Sequence, residues 1–118
     1  MSELYRKAPP DIISGFSSQP LARSIAAYTG SRIVDVRYKQ HLNDEVEPAI
    51  QGNVRGRDMV LVASASGDPN RQIIETRFLL DTAKRAGARR KTLVIPHMWY
   101  GRSDSDWGER KTAGLTRI

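Results

Sequence analysis

The chain contains no cysteine, and that absence removes three chemistries at once: a disulfide framework, a thiolate metal site and a cysteine nucleophile. Stability has to come from packing alone. No window approaches the roughly 18 consecutive apolar residues of a membrane span, and the opening Met1-Ser2-Glu3-Leu4-Tyr5-Arg6-Lys7 carries no apolar stretch of a secretory signal. A cytoplasmic protein with no membrane partner is the expectation. Internal repeats and low-complexity tracts are also missing, which leaves one domain of ordinary size rather than a stacked array.

What is present fits a globular domain. Over 118 residues, 39% are hydrophobic and 27% charged, enough to bury a core without staples. The 19 basic against 13 acidic groups give a net charge of +6, which favours polyanionic partners such as nucleotides, inorganic phosphate and nucleic acid. The excess is modest, and most of these side chains are expected to be solvated.

The order of elements reads as α/β. A polar leader over residues 1–10 ends in Pro9-Pro10, and Asp11-Ile12-Ile13-Ser14-Gly15-Phe16 follows as a short strand. A helix starts at Ser17 or Ser18 with Pro20 in its first turn, carries Leu21, Ile25, Ala26 and Tyr28 near one face, and stops at Gly30. Ile33, Val34, Val36 and Tyr38 predict a second strand, and Val46, Ala49 and Ile50 a weak third one, with Pro48 pointing to an edge or a bulge. A loop or hairpin spans the polar stretch between them. Met59-Val60-Leu61-Val62-Ala63 is an apolar run of buried-strand type. Asp68-Pro69-Asn70 caps a long helix on which Ile73, Ile74, Phe78, Leu79 and Ala83 recur at three and four residues before Gly87. Thr92-Leu93-Val94-Ile95 then reads as another buried strand, so strand, helix and strand imply a crossover between parallel neighbours. The aperiodic stretch from Met98 to Arg110 follows a strand's carboxyl end, where open α/β sheets hold ligands.

Three segments in order carry a resemblance. They are Glu45 with Asn53-Val54-Arg55-Gly56-Arg57-Asp58, then Pro69-Asn70 to Glu75 with Asp81-Thr82-Ala83-Lys84-Arg85-Ala86, and then Pro96 to Asp104. Together, over roughly Ile12 to Ala113, the chain resembles the amino-terminal domain of the ribose-phosphate pyrophosphokinases. The resemblance implies a phosphoribosyltransferase-like fold over residues 11–118, mainly parallel sheet flanked by helices with a small antiparallel hairpin. It further implies transfer of the pyrophosphoryl group of ATP, with Mg2+, to ribose 5-phosphate, and assembly into oligomers.

Residue by residue, the resemblance assigns Arg102, Ser103 and Asp104 to the loop that holds ATP, with Arg102 facing phosphates or base as a planar donor; a surface salt bridge is the competing role. It places His41, Asn43 and Glu45 in a loop that a neighbouring subunit lays over the adenine. There the family has an aromatic for His41, aspartate for Asn43 and glycine for Asp44, and only Glu45 is kept. Arg55, with Arg57 beside it, falls at a regulatory phosphate site, an exposed turn arginine being the plainer reading. Ser103 replaces a glutamine and Trp99 a glycine, which removes donors and adds bulk. The family's catalytic loop, its metal-binding histidine and its ribose-phosphate loop have no counterpart through Ile118, so no catalytic residue is assigned and the chain is expected to be inactive alone.

Two functional expectations follow: an ATP-binding, oligomer-forming part of such an enzyme, or a non-catalytic nucleotide- or phosphate-binding homologue that regulates full-length subunits. A nucleic-acid module resting on Arg89-Arg90-Lys91, Trp99, Tyr100 and Trp107 is disfavoured, because those basic residues sit where a helix end and a turn already account for them.

Overall fold

The computed structural model describes residues 8–40, 46–65 and 67–101. In chain order they form β1 (Asp11–Ser14), α1 (Gln19–Thr29), β2 (Val36–Gln40), β3 (Val46–Ile50), β4 (Asp58–Val62), α2 (Pro69–Arg85) and β5 (Arg90–Val94). A parallel sheet runs in the order β1-β4-β5, and β2 with β3 makes a separate antiparallel pair. The α/β class read from the sequence is what the chain adopts.

The apolar run of β4 lies at the centre of the parallel sheet, where Leu61 faces Ile13 on one neighbour and Leu93 on the other. Alternation sends its side chains to opposite faces. Ile13, Met59 and Leu61 pack with Val34, Val54 and Leu79, which brings α2 and β3 to one face. Ile12 and Val62 pack with Ala22 and Ala26 of α1 on the other. Covering both faces in this way is what a parallel sheet requires. Pro48 is accommodated because β3 belongs to a two-stranded sheet in which each strand is an edge.

Both helices begin and end close to where the sequence places them, but the inward face of each is rotated from the expected one and shares only part of it, Ala26 on α1 and Leu79 and Ala83 on α2. Asp68 accepts the N–H groups of Asn70 and Arg71 at 3.0 and 3.4 Å, Pro69 opens the first turn of α2, and Gly30 closes α1 at φ 71°. On α1 the small residues Ala22 and Ala26 are buried while Leu21 and Tyr28 face outward. On α2 the buried row is Gln72, Glu75, Thr76, Leu79 and Ala83, whereas Ile74 and Phe78 are 52% and 48% exposed. The spacing is the expected one; the phase is rotated so that only part of each expected face is buried.

Three strand expectations shift as well. β1 ends at Ser14 and Phe16 begins a short 3-10 turn. Ile33 makes a single parallel bridge to Ile12, and the second strand starts only at Val36. β5 leaves Arg90, Lys91 and Thr92 exposed and only half-buries Leu93 and Val94, so it is not the fully buried strand its sequence suggests.

Candidate functional site

The carboxyl ends of β1, β4 and β5 lead into three turns that meet over the start of α2. The first, Gly15 to Ser18, is fixed from two sides. The Phe16 N–H donates to Glu75 Oε1 at 2.7 Å, and Ser18 Oγ accepts the Ser64 N–H at 3.0 Å. Ser18 occupies the helix N-cap position yet spends its hydroxyl on this second turn rather than on the helix. The third turn, after β5, is tied to the second by the Ala65 N–H donating to His97 O at 2.8 Å.

Two buried polar side chains of α2 stand beneath these turns. Gln72 Oε1 accepts the indole N–H of Trp99 at 2.8 Å, and its Nε2 reaches Ser17 Oγ at 3.3 Å. Burial pushes the Glu75 carboxyl above the ordinary carboxylate range, against the opposing pull of the Phe16 N–H and the charge of Arg71. The Tyr38 hydroxyl donates to Ser14 O, and burial, with the Glu75 charge near it, pushes that hydroxyl up too. Above them opens a cleft of about 690 Å³ between the second and third turns, walled by Gly67, Pro69, Pro96, His97 and Tyr100. Its walls are mostly apolar, with His97 and Tyr100 among them, and it lies at the carboxyl edge of a parallel sheet, where open α/β sheets hold ligands.

The amino edge of the same sheet is built differently. Asp11, 0% exposed at the start of β1, takes a pair of hydrogen bonds from Arg32 at 3.2 and 2.6 Å and another from Arg57 at 3.1 and 2.7 Å. Burial alone would raise its pKa; the bonds and charges of the two guanidinium groups outweigh that and hold the carboxyl below the ordinary range. Arg32 also donates to Asn53 O at 2.8 Å. The segment Asn53 to Asp58 is a turn in which Asn53 Oδ1 accepts the Arg55 N–H and the Arg57 N–H donates to Val54 O. Gly56, at φ 70°, occupies the position where such a turn needs left-handed backbone. Asp58 at its end pairs with Arg89 through two bonds of 2.9 Å.

Of the residues singled out in the sequence, Arg55 and Arg57 lie together on this turn. Arg57 directs its guanidinium onto Asp11, while the Arg55 side chain lies along Gly87, where an added Cβ would come within 3.2 Å of it. Arg102, Ser103, Asp104, His41, Asn43 and Glu45 lie outside the described residues. Asp11, Arg32, Gln72 and Glu75 were not legible as site residues. Their partners are far along the chain, and no local spacing marks them. Among the described residues no group of three or more histidines or carboxylates is placed to hold a metal ion, and no helix is long and apolar enough to cross a membrane.

Residues 11–115 match the family described as the N-terminal domain of ribose phosphate pyrophosphokinase. A ribose-phosphate pyrophosphokinase of Prochlorococcus marinus is 38% identical over 107 residues, which is 91% of this chain and 31% of that protein. One from Caulobacter vibrioides is 36% identical over 107 residues, 91% and 33% of the two chains. The chain therefore spans about a third of the length of these curated relatives. Among solved structures, phosphoribosylpyrophosphate synthetase from Mycobacterium smegmatis superposes with a TM-score of 0.83 at 22% identity, over 90% of this chain and 36% of that one. Purine phosphoribosyltransferase from Pyrococcus horikoshii superposes at 0.52 with 14% identity, over 73% and 59%. At those identities the likeness is one of fold, and it makes the architecture phosphoribosyltransferase-like.

Proposed function

We propose, from the fact that the chain belongs to the ribose-phosphate pyrophosphokinase family, that it supplies the ATP-binding and oligomer-forming part of such an enzyme. In that enzyme the pyrophosphoryl group of ATP passes to the anomeric hydroxyl of ribose 5-phosphate, giving phosphoribosyl pyrophosphate and AMP. The observation that carries the reading is the cleft at the carboxyl edge, framed by the turns after β4 and β5. Transfer of this kind depends on neutralising and orienting phosphates more than on covalent chemistry. The roles proposed here are of that sort: Arg102, with Ser103 and Asp104, holds the nucleotide, and His41, Asn43 and Glu45 approach the base from a neighbouring subunit. Mg2+ is proposed, as the family implies, to arrive with the ATP, and no step is derived through it. Arg55 is proposed as the phosphate contact at the amino edge. Arg57 adds to the field there while bonded to Asp11.

A second reading, a non-catalytic homologue that regulates full-length subunits, draws on Asn43, Asp44 and Ser103, which differ from the family's residues at those places. One set of titrations separates the two. The purified chain is titrated with MgATP, ADP and phosphate, alone and with ribose 5-phosphate, while binding and AMP release are followed. Binding without AMP release, and roughly tenfold weaker MgATP binding in Arg102→Ala but not in Arg89→Ala, is the expected result. Equal affinity in Arg102→Ala and the parent overturns the role of Arg102, and AMP formed by this chain alone overturns its inactivity in isolation. Activation or inhibition of an intact synthetase on mixing, with no AMP of the chain's own making, favours the regulatory reading.

A further inference from the structure

We propose that Gln72 is a positioning residue of the nucleotide site, acting through Trp99 to seat the turn of residues 96–101 on the start of α2. This rests on the nucleotide reading above. Gln72 lies on the buried row of α2, where a leucine would pack without desolvating an amide. Its two polar ends are both used: Oε1 accepts the N–H of an indole only 2% exposed, and Nε2 reaches Ser17 Oγ. An added Cβ on Gly67 would come within 3.7 Å of Nε2, so this one side chain stands against the turns that follow β1, β4 and β5.

The residue after Trp99 explains why an anchor is needed. Tyr100 has φ 56°, a left-handed conformation that an aromatic side chain adopts only when its surroundings hold it there. Trp99 is fixed immediately before it, and the Tyr100 hydroxyl donates to Asn70 Oδ1. Both attachments end on the first turns of α2, so the position of the third turn relative to the cleft is set from that helix. Losing the indole bond releases the side of the turn that faces the cleft without opening the sheet below it.

The test uses the full chain in a Trp107→Phe background, which leaves Trp99 as the one tryptophan of the two in the sequence. MgATP affinity and melting temperature are measured for this parent, Gln72→Met, Trp99→Phe and the double variant, and acrylamide quenching of Trp99 for the parent and Gln72→Met. Gln72→Met keeps the volume but orphans the indole N–H, so its melting temperature falls; adding Trp99→Phe removes the orphan and restores part of it. If the bond seats the turn, MgATP binding is roughly tenfold weaker in all three variants and stays weak in the double variant. Trp99 in Gln72→Met then becomes more open to the quencher. Affinity that recovers together with the melting temperature overturns the proposal, as does a Trp99 equally shielded in Gln72→Met and the parent. Should the parent bind no MgATP, the nucleotide reading fails by itself, and the quenching comparison still decides whether Gln72 seats the turn.

Discussion

At the amino edge of the parallel sheet a buried carboxylate, Asp11, is matched by two guanidinium groups that reach it from different parts of the chain; at the carboxyl edge the buried polar groups are an amide, hydroxyls and the carboxyl of Glu75, bonded to backbone and to an indole. The contrast shows in the two acids. Pairing holds Asp11 below the ordinary carboxylate range, while burial lifts Glu75 above it. The buried carboxylate fixes three segments in place through its two guanidinium partners, which together leave that edge with an excess positive charge. Polar groups engaged one bond at a time, around an open cleft, hold the turns and keep the cleft free. One sheet thus carries a charge-held anchor at its amino edge and an open cleft at its carboxyl edge.

The largest break in that comparison is expected from Asp11→Ala. It leaves Arg32 and Arg57 facing each other at the start of β1, and since both are half exposed the loss is smaller than for a wholly buried pair, about 2–3 kcal/mol. Urea denaturation reads this directly, and the cleft at the other edge should bind its ligand as before once the variant is folded. A loss under about 0.5 kcal/mol would mean that the amino edge is not held by charge at all.

Next in size is Gly15→Ala, at the opposite edge. A Cβ there would stand 2.8 Å from Glu75 Oε1, so the carboxylate must leave the Phe16 N–H or the turn must shift. Either adjustment costs about 1–2 kcal/mol by overpacking. Thermal melts of Gly15→Ala alone and combined with Glu75→Ala check it: the smaller side chain removes the clash, so the combined loss should fall below the sum.

Glu75→Gln sharpens the comparison through pH. Because the folded pKa of Glu75 is raised above its ordinary 4.5, the folded state holds the proton more tightly than the unfolded chain, and the contribution of Glu75 to stability falls as pH rises from that value through its folded one. Asp11 has the reverse sign: its folded pKa is lowered, so its contribution is present above its ordinary 3.8 and disappears as pH drops through the folded value. Glutamine keeps an oxygen for the Phe16 N–H and removes the first dependence alone. Stability of Glu75→Gln should match the parent below pH 4 and exceed it at pH 7 by up to about 1 kcal/mol. Parallel pH profiles for the two proteins would show that Glu75 titrates as an ordinary carboxylate.

How much of this was legible in the sequence depends on the range of the interaction. The turn at Asn53 to Asp58, the capped start of α2 and the apolar run of β4 are local, and each was readable from residues within a few positions. The phase of α2 was legible only in part, at Leu79 and Ala83. A periodic pattern fixes which residues share a face but not which face the sheet selects, and here the selected face carries Gln72 and Glu75 because their bonds to Trp99 and Phe16 compensate their burial, leaving Ile74 and Phe78 outside. Asp11 was hidden for the same reason: its partners stand 21 and 46 residues away. Nothing in Asp-Ile-Ile distinguishes a buried anchor from a solvated strand end. The motif residues past Gly101 and those at 41–45 were legible by resemblance alone, and they lie outside the described residues.

The smallest effect is expected from Arg89→Ala. Arg89 meets Asp58 through two bonds of 2.9 Å, the same fork that Arg57 makes with Asp11, yet its side chain is 64% exposed and its partner 25%. Water screens the pair and already solvates both ends in the unfolded chain, so a good geometry stabilises little. The melting temperature should fall by no more than about 2 °C, and the difference from the parent should shrink further in 1 M salt. The loss in Asp11→Ala should depend less on salt, because its carboxylate is 0% exposed even though the two guanidinium groups are half exposed. A fall for Arg89→Ala as large as that for Asp11→Ala, and as insensitive to salt, would show that Asp58 and Arg89 belong to one network with Asp11, Arg32 and Arg57, and that the amino edge is held by five charges acting together rather than by a single buried one.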